Sequence, residues 1–360
     1  NYIQRNFGKN VMMLTATPFT NSPLEIYSML SFVSYEYMKR NGILNVKDFF
    51  QQFVFEQEEW VSKQSGKIEK APVVKKFNNI VALQKLINSH INFKDGKNVP
   101  GLKQPCKVNI PKLSKESTPK NSIIPNDLSS FLEMNENQKS NQRIINGEAK
   151  KGADRDDPGK LLRLLNHSMN NALSPYIYDD DDPLDHVDYV ESSPKIYYAL
   201  LCINSVKEWH EKNKSPMSGQ VIYMNRGKDY FPLVKEYLVK KLGFKTGIKY
   251  ERAKVDEVEL LTSQVSNGKK EKITNAFNDG VVKVVIGTST IKEGINLQKN
   301  ATCIYNLFPD WNPTDVRQLE GRIWRQKNPF GYVRSIMPLI ENSMDVFIFQ
   351  KLEEKTSRIN

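Results

Sequence analysis

Two arginines and a glutamine near the C-terminal end have the residue types and spacing needed to bind phosphate. Gln318, Arg322 and Arg325 lie in the segment NPTDVRQLEGRIWRQ, residues 312–326. An arginine guanidinium suits this chemistry because its planar fork binds phosphate in a bidentate way and stays charged. The alternative interpretation is a solvated basic face that forms salt bridges.

The same segment has the signals of a helix start. Asn312 is a favourable N-cap, Pro313 suits the first helical position, and the acidic Asp315 matches the positive end of the helix dipole. At 100° per residue, the glutamine and the two arginines would fall within about 60° of one another. The sequence therefore predicts one helix over 312–326 with these side chains on one face and a buried stripe opposite: Val316, Leu319 and Ile323.

A second segment with possible chemistry lies about 30 residues upstream. The apolar run KVVIG is followed by Thr288 and Ser289, and then by Gly294. Small residues at the carboxyl end of a parallel strand let the backbone approach a phosphate closely, and Thr288 can donate a hydrogen bond to one. An ordinary structural turn is the alternative.

The elements around these segments alternate between strand and helix. Four apolar runs are predicted to be strands: 220–224, 283–286, 303–307 and 333–337. Strand–helix–strand alternation predicts a parallel α/β sheet. Another short apolar run, 11–14, is predicted to be a buried strand. Residues 23–60 are predicted to be mostly helical, whereas prolines divide the region after residue 100 into irregular or short extended pieces.

Five segments together resemble the ATPase motor of the SWI/SNF-type group within helicase superfamily two. VMMLTATPFTNSPLEIYSML resembles motif III, VIYMN motif IV, GTSTIKEGINL motif V and QLEGRIWRQ motif VI, and PDWNP resembles the tryptophan loop between the last two. Their order and spacing match over most of the chain. The resemblance implies a DNA-dependent ATPase of a bacterial or phage-like kind.

The resemblance implies an α/β fold. It predicts a RecA-like helicase lobe, in which a parallel sheet is flanked by helices, together with a largely helical insertion region and the tail end of a first RecA-like lobe. The predicted boundaries are 1–35 for the end of the first lobe, 36–185 for the helical and partly irregular insertion, 186–342 for the second lobe and 343–360 for a C-terminal helix.

The resemblance also implies roles for individual residues. Arg325 is the expected arginine finger, with Arg322 beside it and Gln318 supporting the contact to the γ-phosphate. Nucleotide contacts are expected from Gly294, Asn296 and Glu293, and contacts to the backbone of double-stranded DNA from Thr288, Asn225 and Asn21. Coupling between nucleotide state and lobe closure is expected from Thr15, Thr17 and Glu25.

The sequence also departs from the family pattern. Ile291 and Lys292 stand where motif V usually has two glycines, and Asn225 stands where motif IV usually ends in serine. No GxxxxGK[ST] segment occurs, and no DExH or DEAD segment precedes Thr15. The cradle for ATP and the ligands of Mg²⁺ are therefore expected in an upstream RecA-like lobe of the same polypeptide, and the 360 residues alone are expected to hydrolyse no ATP.

Composition sets further limits. The formal net charge is +11, which favours a polyanionic partner, although 40 of the 52 basic residues are lysines and such an excess can also reflect codon usage. No run of about 18 apolar residues exists, so no membrane contact is expected. Three widely spaced cysteines and no histidine cluster predict no metal site and a reducing compartment. That compartment would be the cytoplasm of a bacterial cell or phage-infected host, or else the protein would be packaged in a virion. The alternative function is a non-enzymatic nucleic-acid-binding or virion-associated scaffold that retains the helicase lobe.

Overall fold

A computed structural model describes residues 12–14, 23–62, 68–92, 103–111, 131–151, 157, 159–179 and 182–359. Contacts between residues divide the chain into two compact units. The first contains Asn1–Leu102, Ala153–Lys160 and Lys355–Asn360, and the second contains Lys103–Gly152 and Leu161–Glu354.

The first unit is built from short helices and one long β-hairpin. Its elements are α1 (Pro23–Val33), α2 (Tyr35–Arg40), α3 (Val46–Phe53), β1 (Val54–Ser62), β2 (Ile68–Phe77) and α4 (Ile80–His90). Apolar side chains from all four helices form its core, among them Leu30, Met38, Phe49 and Leu83.

The antiparallel β1–β2 hairpin differs from the helical prediction for residues 54–60. Helix α3 ends at Phe53, and the chain continues directly into β1. Val54, Phe55, Trp60 and Val61 have high strand propensity. Their hydrogen-bonded partners lie in β2, and this pairing with the following segment of the chain overrides the helical spacing.

The second unit contains a six-stranded sheet. Its strands are β3 (Cys106–Ile110), β5 (Gly219–Tyr223), β8 (Val258–Leu261), β9 (Val284–Gly287), β10 (Ala301–Asn306) and β11 (Tyr332–Ile336). Their spatial order is β3-β11-β10-β5-β9-β8, and every neighbouring pair is parallel. This sheet with its flanking helices confirms the predicted RecA-like lobe. Its edge strand β3 comes from the region expected to be an insertion.

Both faces of the sheet are buried, which explains why its strands are continuous apolar runs rather than alternating ones. Along β5, Val221 and Tyr223 belong to one core cluster, and Ile222 belongs to the other. Helices cover both faces: α5 (Glu136–Lys150), α6 (Lys160–Leu173), α7 (Pro175–Asp179), α8 (His186–Glu191), α9 (Pro194–Lys212), α10 (Phe231–Lys240), α11 (Asn267–Asn278), α12 (Pro313–Glu320) and α13 (Met344–Ile359).

The remaining strands form two small sheets. β4 (Phe131–Leu132) pairs with β12 (Leu339–Ile340), and β6 (Ile248–Tyr250) pairs with β7 (Ala253–Val255). The four strands predicted for the lobe are confirmed, and each observed strand end lies within two residues of the predicted one. The predicted strand at 11–14 is wrong for its described residues: Met12 and Leu14 are 85% and 89% exposed and form no regular structure. An apolar run is buried as a strand only where neighbouring strands pair with it, and none of the described strands does so.

Candidate nucleotide and nucleic-acid site

Three loops meet at one edge of the sheet. The central neighbours β10, β5 and β9 are parallel, so the segments that follow them leave the sheet on the same side. Asn225 follows β5, Thr288 follows β9, and Asp310 lies in the loop after β10. Ligands of open parallel sheets bind at this edge, outside the carboxyl ends of the strands.

Helix α12 begins as the sequence predicts. The side chain of Asn312 accepts a hydrogen bond from the Thr314 amide at 3.0 Å, and Pro313 occupies the first turn. Of the predicted stripe, Leu319 and Ile323 are buried in the cluster on one face of the sheet, whereas the half-buried Val316 packs against the cluster on the other face.

The end of the helix differs from the prediction. α12 ends at Glu320, so Arg322 and Arg325 do not lie on a helical face with Gln318. After Gly321, the amide of Arg322 donates to Leu319 O at 3.1 Å and that of Arg325 donates to Ile323 O at 3.0 Å. These two hydrogen bonds span three and two residues instead of the four of an α-helix. Residues 321–326 are therefore an irregular segment, here called the arginine turn. Glycine favours this ending because its helix propensity is about 1 kcal/mol below that of alanine.

The arginine turn is joined to the segment after β9, residues 288–297, here called the β9 loop. Arg322 donates through Nη1 to Ile295 O at 3.4 Å and through Nη2 to Lys292 O. Arg325 Nη1 donates to Oδ1 of Asn296. Both guanidiniums therefore lie against the same loop, although helical geometry does not place them there.

The electrostatics of the pair favour an anion. Burial, and in addition the charge of Arg325, lower the pKa of Arg322 below its ordinary value. Nε of Arg322 is buried and has no hydrogen-bond partner among the described residues. An unpaired buried donor costs free energy, so an acceptor that satisfies it is stabilised. A phosphate oxygen fits that requirement, and it would also reduce the repulsion between the two cations.

Lys292 fastens the β9 loop to the loop after β10. Its Nζ lies 2.9 Å from Oδ2 of Asp310 and 3.0 Å from Oδ1 of Asp315, and Tyr223 donates its hydroxyl proton to Asp310 at 3.0 Å. Burial alone would favour the neutral amine, but the hydrogen bonds to the two carboxylates raise the pKa of Lys292. The lysine that departs from the family pattern is therefore part of a partly buried ionic cluster.

Different physical constraints explain why glycine stands at two positions of this region. A Cβ at Gly287 would lie 2.5 Å from Leu261 O of the neighbouring strand, so the close approach of β8 explains this residue without a ligand. Gly294 has φ of +69°, a conformation that favours glycine, and is exposed in the β9 loop. Glu293 and Asn296 beside it are also exposed.

The other predicted residues are distributed as follows. Gln318 is exposed on α12, and no hydrogen bond joins it to either arginine within the described residues. Glu25 lies in the first turn of α1 in the first unit and is partly buried. The predictions for Thr15, Thr17 and Asn21 fall outside the described residues.

Sequence reasoning missed the partners of the arginine turn and of the β9 loop. Lys292 stood out only as a departure from a glycine pattern, and Asp310 gave no signal apart from its place in the PDWNP segment. Their interaction joins residues 18 positions apart, and no helical or strand period connects them.

The described residues contain no candidate membrane span and no candidate metal site. None of their helices is long and apolar enough to cross a membrane. Within the same ranges, no group of three or more His, Cys, Asp or Glu side chains is arranged to hold a metal ion.

Comparison with known proteins identifies the domain to which the site belongs. Residues 208–327 match the helicase conserved C-terminal domain family. This match bears out the helicase resemblance for that part of the chain, which includes the β9 loop and the arginine turn.

Individual relatives are more distant. The defense against restriction protein B of Escherichia phage P1 is 29% identical over 146 residues, which are 40% of this chain and 6% of the phage protein. The chain is similar in structure to the C-terminal part of the Fun30 ATPase domain, with 15% identity, a TM-score of 0.46, and coverage of 62% of this chain and 87% of that one. It is also similar to the Sulfolobus solfataricus SWI2/SNF2 ATPase core in complex with dsDNA, with 15% identity, a TM-score of 0.47, and coverage of 77% and 50%.

Proposed function

Because residues 208–327 belong to the helicase conserved C-terminal domain family, we propose that the chain supplies the arginine side of an ATP site in a SWI/SNF-type double-stranded DNA translocase. The observation that carries the proposal is the arginine turn. It holds two guanidiniums against the β9 loop, and one of them has a buried Nε without a partner among the described residues.

The proposed chemistry follows from charge. ATP supplies a γ-phosphoryl group whose equatorial oxygens gain negative charge during transfer. Arg325 is exposed on the turn and can reach such oxygens once it leaves Asn296, whereas Arg322 is more deeply placed and fixes the turn. A preorganised cation stabilises charge that develops in the transition state, because it needs no reorganisation at that moment. Gln318 supports the contact, and Glu293, Gly294 and Asn296 border the nucleotide.

The proposal assigns the remaining functions to other parts of the polypeptide. Mg²⁺ and the phosphate cradle are held by an upstream RecA-like lobe, and the 360 residues alone turn over no ATP. Thr15, Thr17 and Glu25 couple nucleotide state to lobe closure. The work is done in the cytoplasm of a bacterial or phage-infected cell, or by a protein carried in a virion, which the phage relative supports.

The test is steady-state ATPase activity of the full-length protein with saturating duplex DNA. Arg325→Ala is expected to lower kcat by about 10³- to 10⁵-fold, the range of arginine fingers. Arg325→Lys is expected to recover little, since an ammonium group lacks the planar fork. The matched control is Arg252→Ala, which removes an exposed arginine from the β6–β7 turn and should leave kcat unchanged. Near-normal turnover in Arg325→Ala with an intact fold would overturn the assignment of Arg325 to catalysis. Absence of ATPase activity in the wild-type full-length protein would favour the non-enzymatic scaffold.

A second test concerns DNA. Asn225, Thr288 and Asn21 are proposed to contact the phosphate backbone, which positions a protein without reading sequence. The net charge of +11 supports this mode. Affinity of the full-length protein for duplex DNA is expected to fall steeply with salt, because bound counterions are released, and to be equal for a scrambled duplex. A strong preference between the two duplexes at equal salt would contradict the assignment.

A further inference from the structure

The arginine turn is anchored from the edge strand β3 as well as from the β9 loop. Trp324 lies between the two arginines in sequence, and its indole Nε1 donates to Pro105 O at 2.9 Å. Pro105 directly precedes β3, which pairs in parallel register with β11. The middle of the turn is thus tied to a segment 219 residues away in the chain.

Lys107 of β3 forms a second anchor at the same place. Its Nζ lies 2.7 Å from Oε2 of Glu320, the last residue of α12, and 5.0 Å from the centre of the Trp324 ring. The side chains of Lys107 and Glu320 are only 16% and 8% exposed. A single ammonium group therefore holds both the end of the helix and the indole that follows it.

These contacts matter because the turn has no regular backbone pattern of its own. A helix would fix the arginines through its repeating hydrogen bonds, but α12 ends before them. Their position depends on the hydrogen bonds of the turn's backbone and, in addition, on side-chain anchors on two sides. Displacement of a reacting group by about 1 Å can cost roughly 10²-fold in rate.

We infer that Lys107 and Trp324 are positioning residues for the arginine turn, so that β3 sets where Arg322 and Arg325 stand. The inference rests on the proposed function, since it concerns the same ATP site. Lys107 acts through Glu320 and Trp324 and touches no nucleotide itself.

The test compares four variants of the full-length protein in the ATPase assay with saturating duplex DNA. Lys107→Met removes the charge but keeps an unbranched side chain, and Lys107→Arg keeps a cation that can pair with Glu320 and lie over the indole. Trp324→Phe keeps an aromatic ring without the N–H donor. Lys103→Met is the matched control, because Lys103 is exposed in the segment before β3.

Lys107→Met is expected to lower kcat by about 10- to 100-fold with little change in the KM for ATP, because orientation is lost rather than ground-state binding. Lys107→Arg should recover most of that loss, and Trp324→Phe should lower kcat by itself. In an Arg325→Ala background, Lys107→Met should not lower kcat any further, because the guanidinium that Lys107 helps to position is gone.

The outcomes separate the two proposals. If Arg325→Ala leaves kcat unchanged, the proposed function fails. If Arg325→Ala lowers kcat as expected but neither Lys107→Met nor Trp324→Phe lowers it, the positioning inference alone is wrong. A loss that is equal in the wild-type and Arg325→Ala backgrounds would also overturn the inference, since it would reflect general damage. If Lys107→Met fails to fold, the comparison of Trp324→Phe in the same two backgrounds decides the matter.

Discussion

Arg325 donates a hydrogen bond from Nη1 to Oδ1 of Asn296, so the expected arginine finger and an expected nucleotide contact hold each other. The family resemblance gives the two residues separate roles. Under the proposed function, Arg325 must give up this acceptor before it binds a phosphate oxygen. The strength of the Asn296 acceptor therefore influences how readily the arginine moves.

The first prediction changes that acceptor. Asn296→Asp replaces an amide oxygen by a carboxylate, so the hydrogen bond from the cationic Arg325 becomes an ion pair that can be bidentate. We expect the full-length protein to show a lower kcat in steady-state ATPase assays, because Arg325 is held more firmly on the β9 loop. Asn296→Ala should lower kcat less than Asn296→Asp, since it releases the arginine.

Asn267→Asp is the control for this pair of variants. It adds the same charge at an exposed position at the start of α11. A kcat that is equal in Asn296→Asp and Asn267→Asp would mean that the contact between Arg325 and Asn296 has no part in turnover.

The second prediction concerns the ionic cluster around Lys292. Lys292→Met leaves Asp310 and Asp315 close together without their shared cation. Removal of one partner from a buried ion pair costs 3–5 kcal/mol, and the partial exposure of the two carboxylates reduces the expected loss to about 2 kcal/mol. Urea unfolding of the chain, followed by circular dichroism, should show a lower midpoint for the lobe.

The control is Lys249→Met, which removes an exposed lysine from β6. An unchanged midpoint in Lys292→Met would show that the cluster adds no stability and that Lys292 is not needed to join the two loops.

The start of α12 and the strands of the lobe could be predicted because their signals are local. Asn312 and Pro313 mark the start of the helix, and apolar runs such as 284–287 mark strands that are buried on both faces. The path of the arginine turn could not be predicted from helical periodicity. It depends on Pro105, which is far away in sequence, and a helical wheel continued through Gly321 gives a face that does not exist.

The β1–β2 hairpin and the contacts of β3 with the arginine turn could not be predicted for the same reason. Strand pairing joins separate segments of the chain, so the sequence of either strand alone does not reveal it. Lys107 likewise gave no sign of its contact with Glu320, because 213 positions separate the two. What the sequence does not reveal is therefore the set of contacts that hold the arginine turn, whereas the two arginines stand out in the sequence by residue type and spacing.

The third prediction tests the packing reason for Gly287. Gly287→Ala places a Cβ 2.5 Å from Leu261 O and 2.7 Å from Cδ1 of Ile291, and neither backbone nor buried side chain can move away easily. Overpacking of this kind costs about 1–3 kcal/mol. Urea unfolding should show a loss in that range.

Gly268→Ala is the control, and its expected change in the free energy of unfolding has the opposite sign. Gly268 lies in α11, and an added Cβ there meets no atom within 4 Å. Alanine in a helix is about 0.5–1 kcal/mol more favourable than glycine, so this variant should be slightly stabilised. A Gly287→Ala variant as stable as the wild type would contradict the packing explanation and would leave close approach of a ligand as the reason for the glycine.

The last prediction concerns the three cysteines, which differ in exposure. Cys202 of α9 and Cys303 of β10 are fully buried in the same core cluster, whereas Cys106 at the start of β3 is exposed. Burial raises the pKa of both buried thiols to about 12, and only the thiolate reacts with disulfide reagents or maleimides. At pH 8 we therefore expect one rapidly reacting thiol in the folded chain and three in denaturant, as measured by absorbance of a released aromatic thiolate.

Raising the pH from 7 to 9 should not make Cys202 or Cys303 reactive, because access as well as ionisation is blocked. Cys106→Ser is the matched variant and should remove the fast phase entirely. Two or three fast thiols in the folded wild-type chain would contradict the burial of Cys202 and Cys303 in this core cluster.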